Sequence, residues 1–141
     1  MLKKTIKYTD YNGIERTEDF YFNLTKSELA QMQLKKEGDY AERLRAIAKA
    51  KDMPRLMELF ESIILDAYGE KSDDGKRFVK VRNGHRVAED FIATPAYDEL
   101  YFELIQSPEK FADFLTSLLP PDLAEDVKKL QASGEIEKEL I

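Results

Sequence analysis

The sequence predicts an α+β domain that is mostly α, with an N-terminal β-hairpin followed by five to seven helices packed as one compact domain. Three observations predict it. Apolar residues alternate with period two across residues 2–24. From Thr25 to Pro120 the apolar spacing shifts to three and four, with capping residues and prolines where helices should begin. The 141 residues, 43% of them hydrophobic and including seven tyrosines and eight phenylalanines, suffice for one domain with a real core. That domain is expected to cover residues 1–120, with a hairpin over 2–24 and a helical part over 25–120. Residues 121–141 are expected to add an acidic C-terminal helix and tail.

In the hairpin, Leu2, Ile6 and Tyr8 share even parity with Ile14, Phe20, Phe22 and Leu24, so the even face should point inward. A two-residue Asn12-Gly13 turn would pair even positions with odd ones. A three-residue loop of Tyr11, Asn12 and Gly13, with Gly13 left-handed, pairs Leu2 with Phe22 and keeps the apolar faces together. Two strands alone are marginal, so helices or further strands from a neighbouring copy must cover this face.

Thr25 and Glu28 fit a capping box for a helix to about Lys36, where Gly38 and Asp39 mark its end and the next start. Tyr40, Leu44 and Ile47 form the stripe of a second helix. Pro54 to Tyr68 reads as the third and most apolar, with Leu56, Phe60, Ile63 and Ala67 along one line, Met57, Ile64 and Tyr68 beside it, and Gly69 stopping it. It is expected to be the central core helix. Between Gly69 and Gly84, Ser72 to Gly75 form a turn cluster, and Phe78, Val79 and Val81 a short extended piece. A short helix from Val87 to Ala93 leads to Thr94 and Pro95, which should cap and open the next. Ser107 and Pro108 open another to about Leu119, with Phe111, Phe114, Leu115 and Leu118 as its stripe. Leu123, Val127 and Leu130 give a weak last helix. Beyond Gly134, Ile136 and Leu140 offer apolar groups that could dock elsewhere.

The helix from Pro95 to Gln106 organises the rest. Tyr97, Leu100, Tyr101 and Leu104 recur along one face, while Asp98, Glu99 and Glu103 fall elsewhere. Such a stripe normally packs inside its own domain. The alternative is that part of it meets another chain, with Leu100 and Leu104 inward and Tyr97 and Tyr101 at the rim, where a tyrosine buries its ring and keeps its hydroxyl wet.

The net charge of −6 is unevenly spread. Residues 1–86 carry 18 Lys and Arg against 15 Asp and Glu; residues 87–141 carry 4 against 13. Lys76, Arg77, Lys80, Arg82 and Arg86 form a basic island that could grip an acidic helix or a phosphate backbone, or simply balance the acidic half. No glycine-rich phosphate cradle accompanies it, and nucleic acid is not the natural partner of so acidic a molecule. The absence of cysteine excludes disulfides and thiolate metal sites. No apolar run approaches the roughly 18 residues of a membrane span, so neither membrane nor secretion is expected, and the cytosol is the default compartment.

Little in the residues points to catalysis or to a cofactor. The single histidine, His85, lacks local partners with metal-ligand spacing, Ser62 has no nucleophile-elbow glycines, and Asp73 and Asp74 lack Ca²⁺-loop spacing. The residues alone describe an acidic interaction protein with no expected catalytic, cofactor or metal site.

Four blocks add a resemblance. They are Tyr8 to Gly13 with Glu15 to Leu24; Tyr68 and Gly69 with Lys71 to Phe78; Phe91 and Thr94 with Ala96, Tyr97, Glu99, Leu100, Glu103 and Leu104; and Phe111 to Pro120. In this order they resemble the tail assembly chaperones of long-tailed, siphovirus-type bacteriophages of Gram-positive hosts. The likeness covers about residues 5 to 120, and residues after Pro121 match nothing in it. It implies a non-enzymatic chaperone of the host cell cytoplasm that binds the long, largely helical tape measure protein and is absent from the finished virion. It also implies a frameshifted longer form as a further partner; the open hairpin edge and the stripe suit a homo-oligomer as well as a monomer. The expected partner-binding residues are Tyr97 and Tyr101, with Lys76, Arg77 and Lys80 of the basic island. From another class, the acidic half also suits a small phage inhibitor that blocks a host nucleic-acid-binding protein.

Overall fold

The computed structural model describes residues 1–35, 53–118 and 120. Strand β1 (Leu2–Thr9) and strand β2 (Glu15–Phe22) pair antiparallel with Leu2 opposite Phe22, the expected register. The connecting loop is built by Asp10. Its carboxylate accepts from the backbone N–H groups of Asn12 and Ile14, both at 2.9 Å, and Arg16 Nε lies 2.6 Å from its other oxygen. Gly13 takes φ +80°, a conformation open to glycine at little cost. The even face points inward at Ile6, Tyr8, Phe22 and Leu24, but Ile14 at the loop is exposed.

The reciprocal capping box opens helix α1 (Lys26–Lys35): Thr25 N–H donates to Glu28 Oε1, and Glu28 N–H donates to Thr25 Oγ1. The helix expected around Tyr40, Leu44 and Ile47, and the one expected after Pro121, lie outside the described residues. Helix α2 (Met53–Ala67) follows, with Phe60, Ile63, Ile64 and Ala67 buried, as expected of the core helix.

The expectation of a mostly helical fold with one hairpin is corrected at the end of α2. Tyr68 does not close the helix and Gly69 does not cap it. They begin strand β3 (Tyr68–Lys71), which pairs with β2 through Tyr68 opposite Phe22 and Gly69 opposite Tyr21. Strand β4 (Phe78–Val79) then pairs with β3. The result is a four-stranded antiparallel sheet in the order β1-β2-β3-β4. A second, two-stranded sheet joins β5 (Val81–Arg82) to β6 (His85–Arg86). Asn83 at φ +53° and Gly84 at φ +76° form its two-residue turn, the doubly left-handed kind that suits a tight hairpin. Strands of two to four residues are too short to show a period, so the strands after residue 24 escape a periodicity reading.

Gly69 is required here by space. A Cβ on it would lie 2.5 Å from Cε2 of Phe78, so β4 could not close over a larger residue without shifting. The β3–β4 loop is held by Ser72, whose hydroxyl donates to Asp74 Oδ1 at 2.7 Å and accepts from Arg77 N–H at 3.0 Å.

Helix α3 (Val87–Ile92) starts directly after β6, followed by α4 (Pro95–Leu104) and α5 (Pro108–Ser117). Pro95 opens α4 as expected, but Thr94 does not cap it with its side chain; the hydroxyl donates back to the Phe91 carbonyl at 2.7 Å. Ser107 does cap α5, accepting from Lys110 N–H at 3.3 Å. The described residues thus hold six strands and five helices. Phe22 is the hub between sheet and helices, its ring edge-on to Tyr68, Phe91 and Phe114 at 5.5 to 5.6 Å. The exit of β2 is tied on both sides. Asn23 N–H donates to the Ala67 carbonyl at the end of α2, and Leu24 N–H to the Leu118 carbonyl just beyond α5.

Candidate functional site

Helix α4 packs on β1, with Ala96, Leu100 and Leu104 buried and Lys4 Nζ of β1 2.8 Å from Glu103 Oε1. The expected stripe therefore faces inward at its two leucines. Tyr97 and Tyr101 lie half-buried beside it. Both rings contact Phe60 of α2, Tyr97 at 5.6 Å and Tyr101 edge-on at 5.5 Å. Burial pushes the Tyr97 hydroxyl up to about 12. From the other side, Phe111 and Phe114 of α5 meet the same Phe60 ring, at 5.7 and 6.4 Å. The space between α4 and α5 is thus filled by a fully buried phenylalanine.

The residue that reaches outward from α4 is Phe102, 59% exposed and edge-on to Tyr101 at 5.3 Å. A stripe argument missed it because Phe102 falls between the expected positions. An aromatic residue off the apolar line of an amphipathic helix is the signal that could have found it. Asp98 and Glu99 one turn earlier and Glu103 beside it are exposed as well, so Phe102 stands in an acidic surround.

The five cations of the basic island have different fates. Lys76 and Arg77 are exposed in the β3–β4 loop and make no ion pair among the described residues. Lys80 turns inward. Its ammonium donates to Glu28 Oε2 at 2.5 Å and to the carbonyls of Asn23 and Asp66 at 2.7 and 2.8 Å. Burial lowers the Lys80 pKa. At Glu28 burial pushes upward, but the hydrogen bonds from Lys80 and from Thr25 N–H outweigh it and hold the carboxyl below its ordinary value. Arg82 pairs with Glu70 at 2.6 Å, and Arg86 donates to the Leu65 carbonyl and to Asp66. Three of the five cations thus hold α2, β3 and the short hairpin in place.

His85 lies exposed between Glu89 at 3.4 Å and Asp90 at 3.1 Å. Among the described residues no group of three or more His, Asp or Glu side chains could hold a metal ion, and no helix is long and apolar enough to cross a membrane. These surfaces present two half-buried tyrosines, one outward phenylalanine and a pair of loop cations. A family model for phage tail assembly chaperones matches residues 1–140, and the chain belongs to that family. Its role is that of a chaperone in tail assembly, with tail proteins as partners, and a non-enzymatic role accords with it. No curated protein and no solved structure matches the chain closely enough to add a further relative.

Proposed function

We propose that this chaperone binds the tape measure protein and keeps it soluble during tail morphogenesis, in the host cytoplasm of a siphovirus-type phage of Gram-positive bacteria, and is left out of the finished virion. The observation that carries the reading is the family match over residues 1–140. A tape measure segment presents repeated apolar residues along helices, and a chaperone must cover them without demanding one sequence. The exposed Phe102, continued by the half-buried rings of Tyr101 and Tyr97, supplies an apolar ridge of that kind. Lys76 and Arg77 supply a second contact for acidic stretches of the partner; Lys80 contributes by holding the strands that carry them. Residues 1–120 act as the chaperone domain, residues 121–141 are an appended acidic segment, and the longer frameshifted form and further copies of the chain are additional partners.

Co-expression with the tape measure protein of the same genome tests this. The two should co-purify and stay together as salt rises through the physiological range, whereas an acidic mimic of nucleic acid would release its target. Phe102→Glu should keep the circular dichroism and melting temperature of the parent while losing co-purification. A parent protein that never retains the tape measure protein would overturn the reading.

A further inference from the structure

The apolar ridge of α4 is bordered by charge of one sign. Phe102 is 59% exposed, its ring meets Tyr101 at 5.3 Å, and Tyr101 meets Tyr97 at 6.3 Å, so the three rings are contiguous. A lone exposed phenylalanine would need no explanation, but a row of rings that opens to solvent at one end is a contact surface. Asp98 and Glu99 precede Phe102 by four and three residues, which sets both carboxylates one helical turn from it. Both are exposed, and neither makes an ion pair among the described residues. Glu103, the next acid, is matched by Lys4 at 2.8 Å.

A third acid comes from another element. Burial raises the Tyr97 pKa most, and the carboxylates that raise it further are Glu61 of α2 and Asp98. Glu61 is exposed as well. The ridge is therefore flanked by acids from both α2 and α4.

Such a border discriminates among occupants. It repels a phosphate backbone, and a second copy's α4, which carries three acids and no cation, would bring only more carboxylates. An uncharged apolar helix would cover the rings but leave the carboxylates beside it partly desolvated and unpaired. A helix whose apolar line is flanked by Lys or Arg satisfies both parts. Its apolar residues cover the rings, the stems of its cations lie along them, and the charged heads reach the carboxylates. We propose, resting on the reading of this protein as a chaperone of the tape measure protein, that the ridge of Tyr97, Tyr101 and Phe102 is selective for basic amphipathic helices, and that Asp98, Glu99 and Glu61 set the selectivity.

Two synthetic helices with the same leucine line test it, one flanked by lysines and the other by glutamates, each titrated against the full-length protein by fluorescence anisotropy at low salt. Attraction in one complex and repulsion in the other, at exposed sites, should make the lysine helix bind about tenfold more tightly. The gap should narrow as salt rises. Asp98→Asn with Glu99→Gln keeps the size of both side chains and should erase most of the preference, while Phe102→Ala should weaken the lysine helix, both variants keeping the circular dichroism of the parent. Equal affinities in the parent, a preference unchanged in the Asp98 and Glu99 variant, or no binding of either helix would overturn the proposal. So would self-association of the parent that Phe102→Ala abolishes, since the ridge would then belong to a second copy. A parent that retains the tape measure protein without preferring the lysine helix would lose the selectivity and keep the proposed function. One that prefers the lysine helix but never retains the tape measure protein would lose the proposed function and keep a selective ridge.

Discussion

Lys80 Nζ and Glu28 Oε2 lie 2.5 Å apart, and through that pair β4, the start of α1 and the end of α2 meet at one ammonium. The lysine also satisfies two backbone carbonyls, which makes its removal more costly than the loss of a surface ion pair. Lys80→Met is expected to destabilise the protein by about 1 to 3 kcal/mol, measured by denaturant unfolding. The acid limb should change too. Glu28 is held below its ordinary 4.5, so its contribution is present above that pH and is lost as pH falls through the folded value. The parent should lose stability on acidification below about 4.5 more steeply than Lys80→Met.

Gly69 and Phe78 form a second coupled pair. Gly69→Ala forces its methyl into the Phe78 ring and should cost about 1 to 3 kcal/mol by overpacking. In Phe78→Ala the clash is absent, so the double variant should be clearly less destabilised than the two single changes added together. Additive costs would mean that the glycine serves backbone freedom and not the closure of β4.

Phe60 touches four aromatic rings from α4 and α5 and is fully buried. Phe60→Ala should cost roughly 3 to 5 kcal/mol through transfer and cavity terms. An unchanged melting curve would remove α2 from the core.

On the alkaline side, burial lifts Tyr68 and Tyr97 to about 12 from 10.0. Each favours the folded state fully below pH 10, and that contribution is lost as pH rises toward 12, because the unfolded chain ionises first. Tyrosinate absorbance should therefore show Tyr68 and Tyr97 titrating late, beside Tyr8, which its hydrogen bond to Glu18 also raises, all replaced by a step at lower pH when the protein is unfolded in denaturant. Tyr97→Phe should remove one of them.

The hairpin register, the capping box and the burial of Leu100, Leu104 and Phe60 were legible because each rests on neighbours in sequence. Thr25 and Glu28 sit three residues apart, and Leu2 and Phe22 are fixed by one turn. Phe78, Val79 and Val81 were legible as an extended piece, but the pairing that makes the rest of the sheet was not. Tyr68 and Gly69 continue an apolar helical pattern, and only β2, some 47 residues earlier, draws them into a strand. Asn83-Gly84 was a local signal for the second hairpin, masked by strands of two residues with no apolar alternation. Lys80 reads as one cation among five, since nothing local reveals that it closes a gap between Asn23, Glu28 and Asp66. Phe102 escaped because the stripe of α4 was drawn through its inward face.

The backbone bond from Leu24 to Leu118 also sets a schedule for biosynthesis. Leu24 is buried, and its N–H finds its acceptor 94 residues later, at the far side of α5. While the ribosome is still making α5, that donor has no carbonyl to bind, and the joint between sheet and helices stays open. Completion of the domain thus waits for release of the segment around Leu118. A nascent chain can fold its β1–β2 hairpin early, but it becomes a finished chaperone only once Leu118 has been made and can reach Leu24.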